Sequence, residues 1–146
     1  MTTTSTATHH AFGTQHAAAG ASDHHITMHT ARVELGAILR CDPRALPDVF
    51  YGTRPRALKI GIYYDLLARY PGADAQRLRD CLGRYTATRA YLRRIVLGRN
   101  RHDLDGNNAG AIDAQSRARA RARIRMLDAA RAQRAAAATE AHHAAN

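Results

Sequence analysis

The dipeptide Asp105-Gly106 constrains the fold of this chain more than any other feature, because it separates a basic segment, Arg99-Asn100-Arg101-His102, from a glycine-interrupted apolar one that ends at Ile112. A type I′ turn needs positive φ at both central residues, and Asp, Asn and Gly tolerate that best. The spacing therefore predicts a tight antiparallel hairpin. Strand alternation then sets Arg99 and Arg101 on one face of the incoming strand, as a rigid hook carrying guanidinium groups.

The remaining periodic segments are helical. Thr30 can cap a first helix over 31–40 with Val33, Leu35, Ile38 and Leu39 on its apolar side, stopped by Asp42-Pro43. Pro43, Pro47 and Pro55 mark an irregular crossing anchored by Leu46, Val49, Phe50 and Tyr51. A second helix is expected from about Ala57, with Leu58, Ile62, Leu66 and Tyr70 as its stripe and Pro71-Gly72 as its stop. Asp74 is a good N-cap for a third, in which Leu78, Cys81, Leu82 and Tyr85 fall at i, i+3, i+4 and i+7. Thr86 or Thr88 caps a short fourth helix ending near Val96, and Asp113 caps a fifth that runs into the 130s. With no alternation of strands and helices, a parallel sheet is excluded. The expected class is mainly α, a compact five-helix domain with one small β-hairpin.

Residues 1–28 hold Thr, Ala, Gly, Ser and a cluster of His but almost no large apolar side chains, so they form a disordered tail. The domain is placed at 29–127, followed by an Ala-rich, frayed helical extension at 128–146. His-rich tracts can bind metal, but this one has no organised second set of ligands, and no metal or cofactor is expected. Cys41 and Cys81 lack metal-ligand spacing and read as small buried hydrophobes of a reducing compartment. No signal peptide and no run long enough to span a membrane is present, so the expectation is a soluble, cytoplasmic protein without a membrane partner. No heptad seam points to an obligate dimer, and a monomer is expected.

The formal net charge is +10, and of 22 basic residues only Lys59 is a lysine. A G- and C-rich genome accounts for the preference for Arg over Lys as readily as function does, yet it leaves the excess of positive charge unexplained. That excess points to a polyanionic partner. The string Asp103-Leu104-Asp105-Gly106-Asn107 fails as a calcium loop, since Gly is fourth and Ala114 stands twelfth. There is no phosphate-binding Gly loop, nucleophile elbow or convergent carboxylate set, so no enzyme is expected. The polar focus is Tyr85, Thr86, Thr88, Arg89, Tyr91, Arg99 and Arg101, which joins a helix N-terminus to hydroxyls, aromatic rings and arginines. Arg77, Arg79 and Arg84 lie on the open side of the third helix. The arginines at 117, 119, 121, 123 and 125 alternate at a spacing that sends them to two sides of the last helix. They read as a solvated face or as diffuse attraction to a polyanion.

Three blocks in this order, Leu58-Lys59-Ile60-Gly61-Ile62, Leu78-Arg79 through Tyr85-Thr86 to Tyr91-Leu92, and Arg101 before Asp103-Leu104-Asp105-Gly106, resemble the ProQ/FinO family of bacterial RNA-binding proteins. The resemblance runs from about Ala31 to Leu127. It implies an RNA chaperone of post-transcriptional regulation that binds structured RNAs, notably the 3′ terminator hairpins of small RNAs and messengers. By position it implies RNA-binding roles for Lys59, Arg79, Tyr85, Thr86, Tyr91 and Arg101. Where ProQ-type sequences carry a Lys before Leu-Arg, this chain has Ala75 with Arg77 close by. Gly83 beside Arg84 stands where a further Arg is expected, and Arg89 replaces an aromatic residue. On charge alone, a basic helical DNA-binding or nucleoid-associated protein remains the alternative.

Overall fold

The computed structural model describes residues 28–146, so the expected N-terminal tail and its histidines lie outside the described residues, except for Met28, which belongs to the first helix and not to the tail. The first helix, α1 (Met28–Leu39), buries Ala31, Leu35, Ile38 and Leu39. Val33 is exposed, because it falls off the i, i+4, i+7 stripe that the other residues share. Arg40 adopts φ 55° and the Cys41 amide donates to the Gly36 carbonyl at 3.0 Å, a Schellman stop built without the usual glycine. The returning chain presses on Gly36, where a Cβ would lie 3.0 Å from the Cys41 carbonyl and 3.1 Å from the Pro43 ring.

The crossing contains two 3-10 turns, Pro43–Ala45 and Asp48–Phe50, which bury Leu46, Val49 and Phe50 as anchors. Arg32 ties α1 to it by donating to the carbonyls of Phe50 (2.7 Å) and Gly52 (2.5 Å).

The second helix, α2 (Ile62–Arg69), starts five residues later than the expected Ala57. Residues 57–59 are extended and lie parallel to the first hairpin strand, with Lys59 N–H donating to the His102 carbonyl (2.8 Å) and His102 N–H to the Ala57 carbonyl (2.7 Å). Gly61 follows at φ 84°, a left-handed conformation that no helix interior accepts. Leu58 is buried, and so is Ile62, so an apolar stripe at helical spacing arises here from a strand residue and a helix residue that face one core.

α3 (Ala75–Thr86) and α4 (Arg89–Leu97) form where expected. Asp74 accepts the Arg77 amide at 3.0 Å and Thr88 accepts the Tyr91 amide. Leu78, Cys81, Leu82 and Tyr85 are all buried, and the rings of Phe50, Tyr85 and Tyr91 pack in series with centroids 5.8 and 5.6 Å apart. Burial pushes the Cys81 thiol up to about 11, helped by the nearby Glu34 carboxylate, so it stays protonated and inert.

The hairpin pairs β1 (Asn100–His102) with β2 (Asn108–Ala111). Its turn is not type I′. Gly106 takes φ 83°, but among the described residues Arg40 is the only non-glycine with positive φ, so Asp105 does not take part in such a turn. Instead the Gly106 amide donates to the Asp103 carbonyl (3.1 Å) and the Asp103 amide to the Asn107 carbonyl (3.0 Å). This is a three-residue loop with glycine in the left-handed place. The Asp103 carboxylate, by accepting the amides of Asp105 (3.0 Å) and Asn107 (2.9 Å), selects it over the tighter turn. Asn100 pairs with Ala111 and His102 with Asn108, leaving Ala109 and Gly110 opposite Arg101 in a bulge.

α5 (Ala114–Ala144) is capped by Asp113, which accepts the Ser116 amide at 2.7 Å. It packs along α4, and from Arg131 onward every residue is exposed. Among the described residues no helix is long and apolar enough to cross a membrane.

Arg117, expected in a solvated face, is instead half-buried. Its guanidinium donates to the carbonyls of Val96 (3.0 Å), Gly98 (2.8 Å) and Ile112 (3.3 Å), covering the C-terminal end of α4. Arg117→Ala is expected to destabilise the protein by about 1.5–3 kcal/mol in urea unfolding, the range for hydrogen bonds to a charged group. Arg125→Ala should stay within about 0.5 kcal/mol, as for ordinary surface positions.

Candidate functional site

Leu58 explains how the site is assembled. In an extended segment, successive residues turn their N–H and C=O groups to opposite edges. Ala57 and Lys59 pair with His102 on one edge, so the polar groups of Leu58 face the other. Two side chains meet them there. Tyr91 Oη accepts the Leu58 amide at 3.0 Å, and Arg101 Nη1 donates to the Leu58 carbonyl at 3.2 Å. Arg101 Nη2 also donates to Ser116 Oγ (3.0 Å) and lies 3.9 Å from the Asp113 carboxylate.

Arg101 is thus not a free hook. It is 9% exposed, inside the junction of β1, the Leu58 segment and the start of α5. The bulge opposite it twists the strand, and Arg99, expected on the same face, is exposed instead.

Tyr85 stands beside Tyr91 and is 1% exposed, so its ring belongs to the core. Its hydroxyl has no hydrogen-bond partner within the protein, and neither has Arg101 Nε. Both atoms belong to side chains that adjoin Tyr91, one through its ring and the other electrostatically. Burial pushes the pKa of both tyrosine hydroxyls up, partly offset at Tyr91 by the Leu58 amide, so each keeps its proton. Thr88 completes this corner. Its hydroxyl donates to the Tyr85 carbonyl (2.8 Å) and accepts the Tyr91 amide (3.3 Å) at the first turn of α4, whose leading amides have no helical acceptor. The Thr86 hydroxyl donates to the Leu82 carbonyl of its own helix at 2.9 Å.

The other expected residues surround this corner without converging on one point. Arg79 stacks over the Tyr63 ring at 5.0 Å, and Arg77 is exposed one half-turn away on α3. Lys59 pairs with Asp65 (2.8 Å), Arg84 with Glu34 of α1, and Arg89 with Asp128 of α5. These pairs are partly exposed and worth little to the fold. The Arg69–Asp105 fork, at 3.1 and 3.3 Å, pins the hairpin loop to α2. Nothing in the local sequence signals it, since the partners lie 36 residues apart. Among the described residues no group of three or more His, Cys, Asp or Glu side chains could hold a metal ion.

The sequence pattern of the ProQ/FINO family matches residues 34–137 of this chain. Among solved structures, the chain is similar to a FinO-like RNA chaperone from Neisseria meningitidis, with a TM-score of 0.51 at 22% identity over 69% of this chain and 82% of that one. It is also similar to a ProQ homologue from Legionella pneumophila, with a TM-score of 0.48 at 24% identity over 69% of this chain and 83% of the other. The first likeness bears on fold alone: five helices with a two-stranded hairpin.

Tyr91→Phe keeps the ring and removes the only acceptor the structure gives the buried Leu58 amide. It should cost about 1–3 kcal/mol of stability, read from thermal or urea unfolding. A variant as stable as the parent would show that Leu58 is held without the hydroxyl.

Proposed function

Because the chain belongs to the ProQ/FinO family, we propose that it is an RNA-binding protein acting as an RNA chaperone in bacterial post-transcriptional regulation. Its targets in this reading are structured RNAs with a single-stranded 3′ end, such as the terminator hairpins of small RNAs and messengers. The protein acts as a cytoplasmic monomer, through residues 29–127, and makes or breaks no bond.

The observation that carries the proposal is the corner between Thr88 and Arg101. A helix N-terminus, which favours anions through free amides and the dipole, stands there, capped by Thr88 and backed by the buried rings of Tyr85 and Tyr91 and by the Arg101 guanidinium. The phosphate that precedes a terminal ribose supplies acceptors for those amides. Arg77, Arg79 and Arg99 then line the approach for the stem, joined by Lys59, Arg84 and Arg89 once phosphate replaces their carboxylate partners. An A-form duplex is read by shape and backbone, which suits such a dispersed basic surface. Holding the 3′ end shields it from exonucleases and leaves the rest of the RNA open to pairing.

Removing the 3′ tail from a hairpin RNA, or phosphorylating its terminal hydroxyl, should weaken binding about tenfold or more, as for the loss of one charge-assisted hydrogen bond. Changing the loop should have little effect. Equal affinity for all these RNAs, or for duplex DNA of the same sequence, overturns the proposal. Arg79→Ala should lower both affinity and the slope of log affinity against log salt, by roughly 0.7–0.9 for each phosphate that the variant no longer neutralises. Arg101→Ala is unsuited to this test, since it also releases the Leu58 carbonyl and Ser116.

A further inference from the structure

α5 carries seven arginines and only two carboxylates, Asp128 and Glu140. Arg117 is engaged at the end of α4, and Asp128 is engaged by Arg89. Arg119, Arg121, Arg123 and Arg125 are all exposed. At about 100° per residue, Arg119 and Arg123 form one row and Arg121 and Arg125 a second, roughly 160° around the helix from the first. The inward side between the rows holds buried Ala120 with half-buried Ile124 and Leu127. The outward side holds exposed Ala118, Met126 and Ala129.

The helix is therefore a low crest of mostly small side chains edged on both sides by guanidinium groups. A helix surface meant only for solvent alternates Lys or Arg with Glu, because like charges at i, i+4 destabilise it. Here 119/123 and 121/125 are like-charged pairs with no carboxylate among their neighbours on α5 before Asp128. Phosphates on both sides of the crest complement that arrangement. The minor groove of an A-form duplex is wide and shallow and is bordered by both backbones, whereas its major groove is too narrow and deep for a helix.

We infer that α5 is a second RNA-binding surface, lying across the minor groove of duplex RNA with Arg119 and Arg123 on one strand and Arg121 and Arg125 on the other. The inference rests on the proposal that the protein binds RNA. It extends that proposal to a surface on the outward side of α5, opposite the face that packs on α4. With duplex held here and a 3′ end held at the corner by α4, one protein can engage two RNA segments at once.

The test uses the full chain and three variants, R119Q/R123Q, R121Q/R125Q and all four together, since glutamine keeps helix propensity while removing charge. Binding is measured to a blunt RNA duplex, to a tailed hairpin and to B-form DNA, across a salt series, with circular dichroism to verify the helix. The fourfold variant should bind the blunt RNA duplex at least tenfold more weakly, with the salt slope reduced by roughly 3. Each double variant should lose about half of that slope, and the preference for a 3′ tail should persist in all three. Parent-like binding of blunt RNA duplex by the fourfold variant overturns the inference while leaving the tail-binding proposal intact. An effect confined to one row overturns the straddling geometry, and an equal loss for B-form DNA overturns the preference for the A-form groove. A parent chain that binds no RNA at all refutes the proposed function itself.

Discussion

The backbone of Leu58 is the point on which the structure turns. Its amide and carbonyl are buried, and a buried peptide group without partners costs more than most single side-chain interactions contribute. Tyr91 from α4 and Arg101 from β1 satisfy both. Its chain neighbours meanwhile pair with His102 and make the segment a short third strand beside the hairpin. One residue thus joins the crossing, the hairpin and α4, and through Ser116 the same arginine reaches α5. The corner proposed to receive a 3′ end is the other side of this junction, so its rigidity follows from the same bonds.

Charge is divided among three kinds of work. Arg32, Arg101 and Arg117 are structural, each donating to backbone carbonyls that would otherwise lack partners at an element's end or edge. A guanidinium suits this role because its planar fork reaches two or three oxygens at once. Lys59, Arg69, Arg84 and Arg89 take an intermediate place in exposed ion pairs that tie neighbouring elements loosely. The arginines of α3 and of the α5 rows that hold no carboxylate are part of the surface excess of positive charge, and in the proposed function that excess is what a phosphate backbone meets.

Much of this was legible in the chain itself. The Asp74 and Asp113 caps, the stripe of α3 and the existence of a hairpin at Gly106 all depend on neighbours within a few residues, where local geometry decides. The family resemblance was legible for the same reason, since its motifs are short blocks of local sequence. The start of α2 was not. Leu58 and Ile62 keep helical spacing, yet the first pairs with a strand forty-four residues away, and only that pairing makes residues 57–59 extended. Turn type escaped as well, because the Asp103 carboxylate rather than the Asp105-Gly106 pair governs the loop.

By itself the sequence determined the helical class, the capped elements, the hairpin's position and the excess of positive charge, all properties of residue type at short spacing. Which arginines are buried braces and which remain open to a polyanion was decided only by tertiary structure. Arg101 and Arg117 look no different in the chain from Arg99 and Arg119. The distinction comes from where long-range packing leaves carbonyl oxygens without a hydrogen-bond partner, and such oxygens exist only once the elements that carry them have met.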